Sequence, residues 1–183
     1  VSLGLLGGIL ACALALPEKR EARHETDRLP IGDILRRREV KTLFAACFFM
    51  AAAHGALYVF YSIYLSGRGY STTMIGLLWT LGVVAEIVVF LYLPRLLHVF
   101  SLRAILLFSF ACAVVRFLAI GWGVEWLALI LAAQLLHAAT FGAFHAASVA
   151  AVHRLFPGRL EGRGQALCSS LTYGLGGALG TLL

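Results

Sequence analysis

The sequence predicts an all-α polytopic membrane protein, and three observations carry that prediction. Of the 183 residues, 61% are hydrophobic and 13% charged, too little polar surface to cover a soluble globule. Four apolar runs reach 18 residues or more, whereas the strands of a membrane barrel are alternating segments of about 10 residues. Lys and Arg collect in alternate connectors, the pattern of cytoplasmic loops between membrane helices. Lipid offers no partner for backbone N–H and C=O groups, so runs of this length are expected to be helices that satisfy those groups internally.

Residues 1–16 read as the end of one transmembrane helix, with Gly4, Gly7 and Gly8 allowing close helix contact and Pro17 after them. The chain opens on Val1 and closes on Leu183 inside an apolar run; the expectation is an internal or C-terminal portion of a longer polytopic protein. Residues 17–41 form a loop carrying eight Lys/Arg and six acids. Within it, Gly32 to Val40 is expected to form a short surface helix leading into the bundle. Residues 42–183 form that bundle, with helices at about 42–65, 74–94, 104–123, 126–152 and 164–183. Ser71 and Thr72 are candidate N-caps of the second of these, and Pro94 and Pro157 stand where helices are expected to stop.

Alternate connectors hold thirteen of the fifteen Lys/Arg: eight in 17–41, then Arg95 and Arg103, then Arg154, Arg159 and Arg163. Arg68 is alone on the opposite side, and Arg116 lies within a span. This asymmetry places 17–41 in the cytoplasm. It also accounts for the net charge of +6 without a nucleic-acid partner, because the positive charge marks loops and forms no single patch. Cys12, Cys47, Cys112 and Cys168 fall singly on separate runs and read as small buried hydrophobes.

The chemistry resides in polar groups at membrane depth. At about 1.5 Å per residue from each cytoplasmic end, Glu86 lies about 12 Å deep, Arg116 and His54 about 18 Å, His137 about 22 Å and His145 about 10 Å. A charge there costs roughly 2.5–3.5 kcal/mol on insertion scales, so such residues pair or mark a pathway. Glu86 and Arg116 sit on consecutive antiparallel helices and are expected to pair, either as a structural ion pair or as part of a proton route. His137 and His145 are about 80° apart on one helix face, which also carries Gln134 and Thr140. Each histidine alone is explained by hydrogen-bonded packing. His54, Tyr58 and Tyr61 at i, i+4 and i+7 form a stripe that lines a cavity or packs. The glycines Gly174, Gly176, Gly177 and Gly180 of the last span imply close helix packing. H-E-x-x-H, P-loop, dinucleotide and nucleophile-elbow patterns are absent, so no metal or cofactor is indicated.

Several stretches resemble a known family. H-G-A-x-Y (His54 to Tyr58), G-Y-S (Gly69 to Ser71), I-G-L-L-W-T-L-G-V-V-A-E (Ile75 to Glu86), V-V-R-F (Val114 to Phe117) and Q-L-L-H-A-A-T-F-G-A-F-H (Gln134 to His145) resemble the phenylpropionate permease family of the major facilitator superfamily. The resemblance implies two six-helix halves joined by a cytoplasmic loop. The present chain would supply the end of helix 6, that loop and helices 7 to 11, and would work with the N-terminal half as partner. The family is also similar to lactose permease and other oligosaccharide/proton symporters. On that template Arg116 takes the place of their helix 9 arginine, His137 of their helix 10 histidine, and Glu86 lies one turn beyond their helix 8 glutamate. Their helix 10 carboxylate is replaced by Thr140, and the 95–103 loop lacks the superfamily aspartate.

What the resemblance implies is a proton-coupled symporter of a phenylpropionate-like aromatic acid in the plasma membrane, a bacterial inner membrane, working by alternating access. Glu86, Arg116, His137 and His145 would couple the proton; His54, Tyr58, Tyr61, Gln134 and Thr140 would form the solute cavity. A sugar or nucleoside symporter and a membrane-embedded enzyme using the histidines are the alternatives. The loop asymmetry yields a direct test: in a cysteine-free background, a cysteine near Arg36 is labelled only from the cytoplasm and one near Arg68 only from outside. Labelling of both from one side contradicts the span assignment.

Overall fold

The computed structural model describes residues 31–182, all of whose regular elements are helical. The expected helix end over 1–16 and the loop from 17 to 30 lie outside the described residues. The first element is α1, Ile31–Arg36. Arg37 breaks it, so the short helix expected over 32–40 ends early and α2 (Arg38–Gly67) begins at once. α3 is Thr72–Val99, α4 Leu102–Trp122 and α5 Leu127–Leu155. These four longer helices are long and apolar enough to cross a membrane. A single 3-10 turn, Gly158–Leu160, leads into α6 (Glu161–Ser169), which runs through a π-helical turn, Ser170–Gly177, into α7 (Ala178–Leu182).

The connector from α2 to α3 follows directly from its letters. Gly69 takes φ +89°, a left-handed conformation open to glycine at little cost. Its N–H donates to Ser66 C=O at 3.0 Å and the Tyr70 N–H to Leu65 C=O at 3.1 Å, the paired bonds of a Schellman ending. Ser71 then caps α3, its hydroxyl accepting from the Met74 N–H at 3.2 Å.

Pro94 does not end α3 as expected; it lies inside the helix, which runs on to Val99. Proline removes its own N–H bond and its ring crowds the carbonyl four residues back, a cost of about 3 kcal/mol. Beyond it, Leu97 packs with the buried Ile105, Ala143 and Ala147, a burial that holds the helix together past the proline. Pro157 does stand at a stop, since α5 ends at Leu155.

Two apolar clusters cap the bundle. At the Arg36 end, Val40, Leu43, Cys47 and Met50 of α2 pack with Phe144, Val152, Phe156 and Cys168. At the Arg68 end, Leu57, Tyr61, Leu65, Ile75, Leu78, Ile120 and Ile130 form the other. The expected burial of the cysteines holds for Cys47, Cys112 and Cys168, which are buried and free, although Cys47 and Cys168 share one cluster. Much of α3 and α4 faces outward with Leu77, Ile87, Leu91, Leu107 and Phe108 exposed, the surface a lipid-facing helix requires. Trp122 and Trp126 flank the α4–α5 turn and are 85% and 70% exposed, as aromatic anchors at a bilayer interface are.

The last span seats against α2 through small residues. A Cβ at Gly176 would lie 2.7 Å from the Phe48 carbonyl oxygen, one at Gly180 would overlap Ala52, and one at Gly55 would lie 2.5 Å from Gly177 O. Backbones this close leave no volume for a methyl group. Gly174, by contrast, meets nothing within 4 Å. Gly176→Ala and Gly180→Ala are therefore expected to destabilise by about 1–3 kcal/mol through overpacking, and Gly174→Ala by less than about 0.5 kcal/mol. Denaturant titration of folded protein in detergent checks the contrast; equal losses at all three positions would refute this account of the packing.

Candidate functional site

Between the two apolar clusters lies a buried polar layer. Its centre is Arg116 of α4, fully buried, with His54 of α2 and Thr140 of α5 also at or near zero exposure. Arg116 Nη1 donates to Thr140 Oγ1 at 3.1 Å and to His54 Nε2 at 3.2 Å. The histidine tautomer follows from its other nitrogen. His54 Nδ1 lies 2.9 Å from the Met50 carbonyl oxygen, which only accepts, so Nδ1 carries the proton and the bare Nε2 accepts from the arginine. Thr140 Oγ1 in turn donates to the His137 carbonyl at 3.3 Å.

The local shape of α5 makes this possible. Its middle, Ala138–Ala143, is π-helical, with i→i+5 bonds and a wider turn that are frequent at functional sites. Over four residues an α-helix overshoots a full turn and a π-turn undershoots it. Alternating the two keeps His137, Phe141 and His145 in one column, with ring centroids 5.4 and 6.2 Å apart and interplanar angles of 16° and 11°. The column turns Thr140 toward α4. Sequence reasoning paired the two histidines but missed Phe141, although its i+4 position between them was readable.

Glu86 and Arg116 do not pair, contrary to expectation. The carboxylate instead faces His137, Oε2 to Nε2 3.7 Å, too long for a hydrogen bond and close enough for an ion pair when the imidazole is protonated. Two glycines bring the helices together. A Cβ at Gly142 would lie 3.0 Å from Glu86 Cγ, and one at Gly82 would lie 3.1 Å from Gln134 Oε1 and 3.3 Å from His137 Cδ2. α3 thus approaches the π-segment closely enough for the carboxylate to meet the imidazole before it can reach α4. Among the described residues, Arg116 has no carboxylate within ion-pair distance.

A cavity of about 240 Å³ opens beside this layer, lined by His54, Tyr58, Thr140, Phe141, His145 and Tyr173 with smaller and apolar neighbours. Of the residues predicted for the solute cavity, His54, Tyr58 and Thr140 line it. Tyr61 and Gln134 do not: Tyr61 is 2% exposed within the Arg68-end cluster, edge-on to Trp79 at 5.1 Å, and Gln134 is buried beside Gly82. The i+7 position carries Tyr61 around α2 and away from the opening. His145 reaches the cavity and hydrogen-bonds the Tyr173 hydroxyl through Nδ1 at 2.8 Å. Tyr173 was not anticipated, although it is the one aromatic residue in the final apolar run. Arg116, His137 and Glu86 stand behind the wall.

These contacts predict which residues are coupled. A double-mutant cycle on His54 and Arg116 is expected to give an interaction energy of about 0.5–3 kcal/mol, as for groups in one network. The cycle on Glu86 and Arg116 is expected to be additive within about 0.5 kcal/mol. The reverse pattern in denaturant titrations would restore the Glu86–Arg116 pair.

Comparison with known proteins agrees with this architecture. A family model described as the MFS_1 like family matches residues 5–183. A probable 3-phenylpropionic acid transporter of Escherichia coli (strain K12) is 39% identical over 114 residues, covering 58% of this chain and 28% of that protein. The matched region is thus well under two thirds of that relative's length. No solved structure matches the chain. With the family model spanning nearly every residue, the chain belongs to the MFS_1 like family of the major facilitator superfamily.

Proposed function

We propose that this chain is the C-terminal half of a proton-coupled secondary transporter that carries a small aromatic acid by alternating access. In that reading residues 1–16 end helix 6, 17–41 form the cytoplasmic central loop, 42–183 supply helices 7 to 11, and the N-terminal half is the partner. The setting is a bacterial inner membrane. The observation that carries the proposal is the placement of an ionisable layer, Glu86 with His137 and Arg116 with His54 and Thr140, directly behind an aromatic cavity inside an apolar bundle. Intramembrane ionisable groups ordinarily mark ion or substrate pathways.

The aromatic part of the cavity lining supports an aromatic solute. Phe141, Phe144, Tyr58 and Tyr173 offer ring faces on which an aromatic group can stack. The name of the 39% identical relative, a probable 3-phenylpropionic acid transporter, points the same way. An enzymatic reading finds no support at His54. A histidine acting as general base needs a free ring nitrogen facing a nucleophile or substrate, whereas His54 has both nitrogens engaged by Met50 and Arg116.

Glu86 is the proposed proton carrier. Protonation discharges the carboxylate and removes its attraction to His137; release restores it, and rocking of the two halves alternates the environment between these states. His137, 3.7 Å from the carboxylate, is the proposed partner of that proton, and His145, which lines the cavity, is a second titratable group; Phe141 between them carries no proton. Glu86→Gln, which stays neutral, is expected to lose pH-driven accumulation in proteoliposomes of the full-length protein while keeping solute counterflow. If the variant still concentrates solute under an imposed pH difference, Glu86 is structural and the proton site lies elsewhere.

A further inference from the structure

Arg116 is fully buried, yet its charge has no matching anion among the described residues. Its only hydrogen-bond partners are the neutral nitrogen of His54 and the hydroxyl of Thr140, both on Nη1. Nε and Nη2 have no partner, so most of the five-donor fork of the guanidinium is unused. The nearest candidate counter-ion, Glu86, is turned to His137. A buried charge with no counter-ion costs several kcal/mol, and Thr140 stands on the π-turn that presents its hydroxyl to this cation. The described residues therefore leave this cation able to take an anion.

The position of the two partners sets the cavity beside this cation. His54 and Thr140 both line the aromatic cavity, so the guanidinium is one side-chain layer from the space the solute would fill. The rings of Tyr58, Phe141 and Phe144 occupy other parts of the same wall. A molecule with an aromatic ring at one end and a carboxylate at the other matches this polarity, ring on ring and carboxylate toward His54 and Thr140.

We propose that Arg116 is the residue that recognises the solute's carboxylate: the solute exchanges for His54 and Thr140 on Nη1 and engages the unused Nη2 as a bidentate pair. The inference rests on the transport reading above and adds to it the group that makes the site select acids. His54 and Thr140 hold the guanidinium in place until the carboxylate enters. Because the match is fork to carboxylate, lysine does not replace arginine fully.

The test is binding of 3-phenylpropionate and of its neutral amide, 3-phenylpropionamide, to the full-length protein in detergent, read as ligand-induced thermal stabilisation. The wild type is expected to prefer the acid by at least about tenfold, the value of one charge-assisted contact. Arg116→Gln is expected to abolish that preference, lowering affinity for the acid far more than affinity for the amide. Arg116→Lys, which keeps the charge should the glutamine variant not fold, is expected to weaken acid binding alone. A purely structural arginine would lower both affinities together and keep their ratio, and that result overturns the inference. A wild type that binds amide and acid equally overturns it too while leaving aromatic transport standing. A wild type that binds neither, yet moves a sugar or nucleoside, overturns both this inference and the aromatic-acid reading.

Discussion

A guanidinium sealed inside an apolar bundle sets the terms for everything around it. Arg116 has no solvent contact, and moving it into such surroundings is affordable only if neighbours present acceptors at fixed positions. Three helices are recruited for this. α4 supplies the arginine, α2 supplies His54 in the tautomer fixed by Met50, and α5 supplies Thr140. The π-turn at Ala138–Ala143 gives up regular α-helical bonding in α5, and its consequence is a hydroxyl aimed at the cation and a column of three rings aimed elsewhere.

The polar layer also depends on how near the backbones come. Gly142 and Gly82 allow α3 to lie against α5 so that Glu86 meets His137, and Gly55, Gly176 and Gly180 allow the last span to lie against α2. In lipid the hydrophobic effect does not drive helices together, so association relies on packing and polar contacts. Small residues thus do two jobs with one feature. They permit close contact, and they set the distance across which carboxylate, imidazole and guanidinium act.

The polar tethers at the Arg68 end complement this arrangement. Tyr64 donates to Gly121 C=O at 2.9 Å and Tyr70 to Val124 C=O at 2.7 Å, while Arg68 and Glu125 approach to 3.7 Å. The tyrosine hydroxyls satisfy backbone carbonyls left over where α4 ends, groups that need partners at any helix terminus. At the other end His153 and Glu161 join α5 to the first turn of α6. The exposed ion pairs add little energy; their effect is to fix which helix ends are neighbours.

The sequence by itself determined the all-α membrane class, the four long spans to within a few residues and the Ser71 cap of α3. These are properties of composition, of capping letters and of rise per residue, all local in the chain. Helical spacing also grouped His54 with Tyr58 on one helix and Thr140 with His145 on another. Only the tertiary structure decided that Glu86 faces His137 and Arg116 faces His54, that Tyr61 and Gln134 turn from the cavity, that Pro94 is absorbed within α3, and that Tyr173 closes on His145. Those outcomes depend on helix rotation and on which backbones approach closely. A π-turn shifts rotation by a fraction of a turn and a glycine shifts separation by the width of a methyl group, and neither quantity is fixed by periodicity along a single strand of letters.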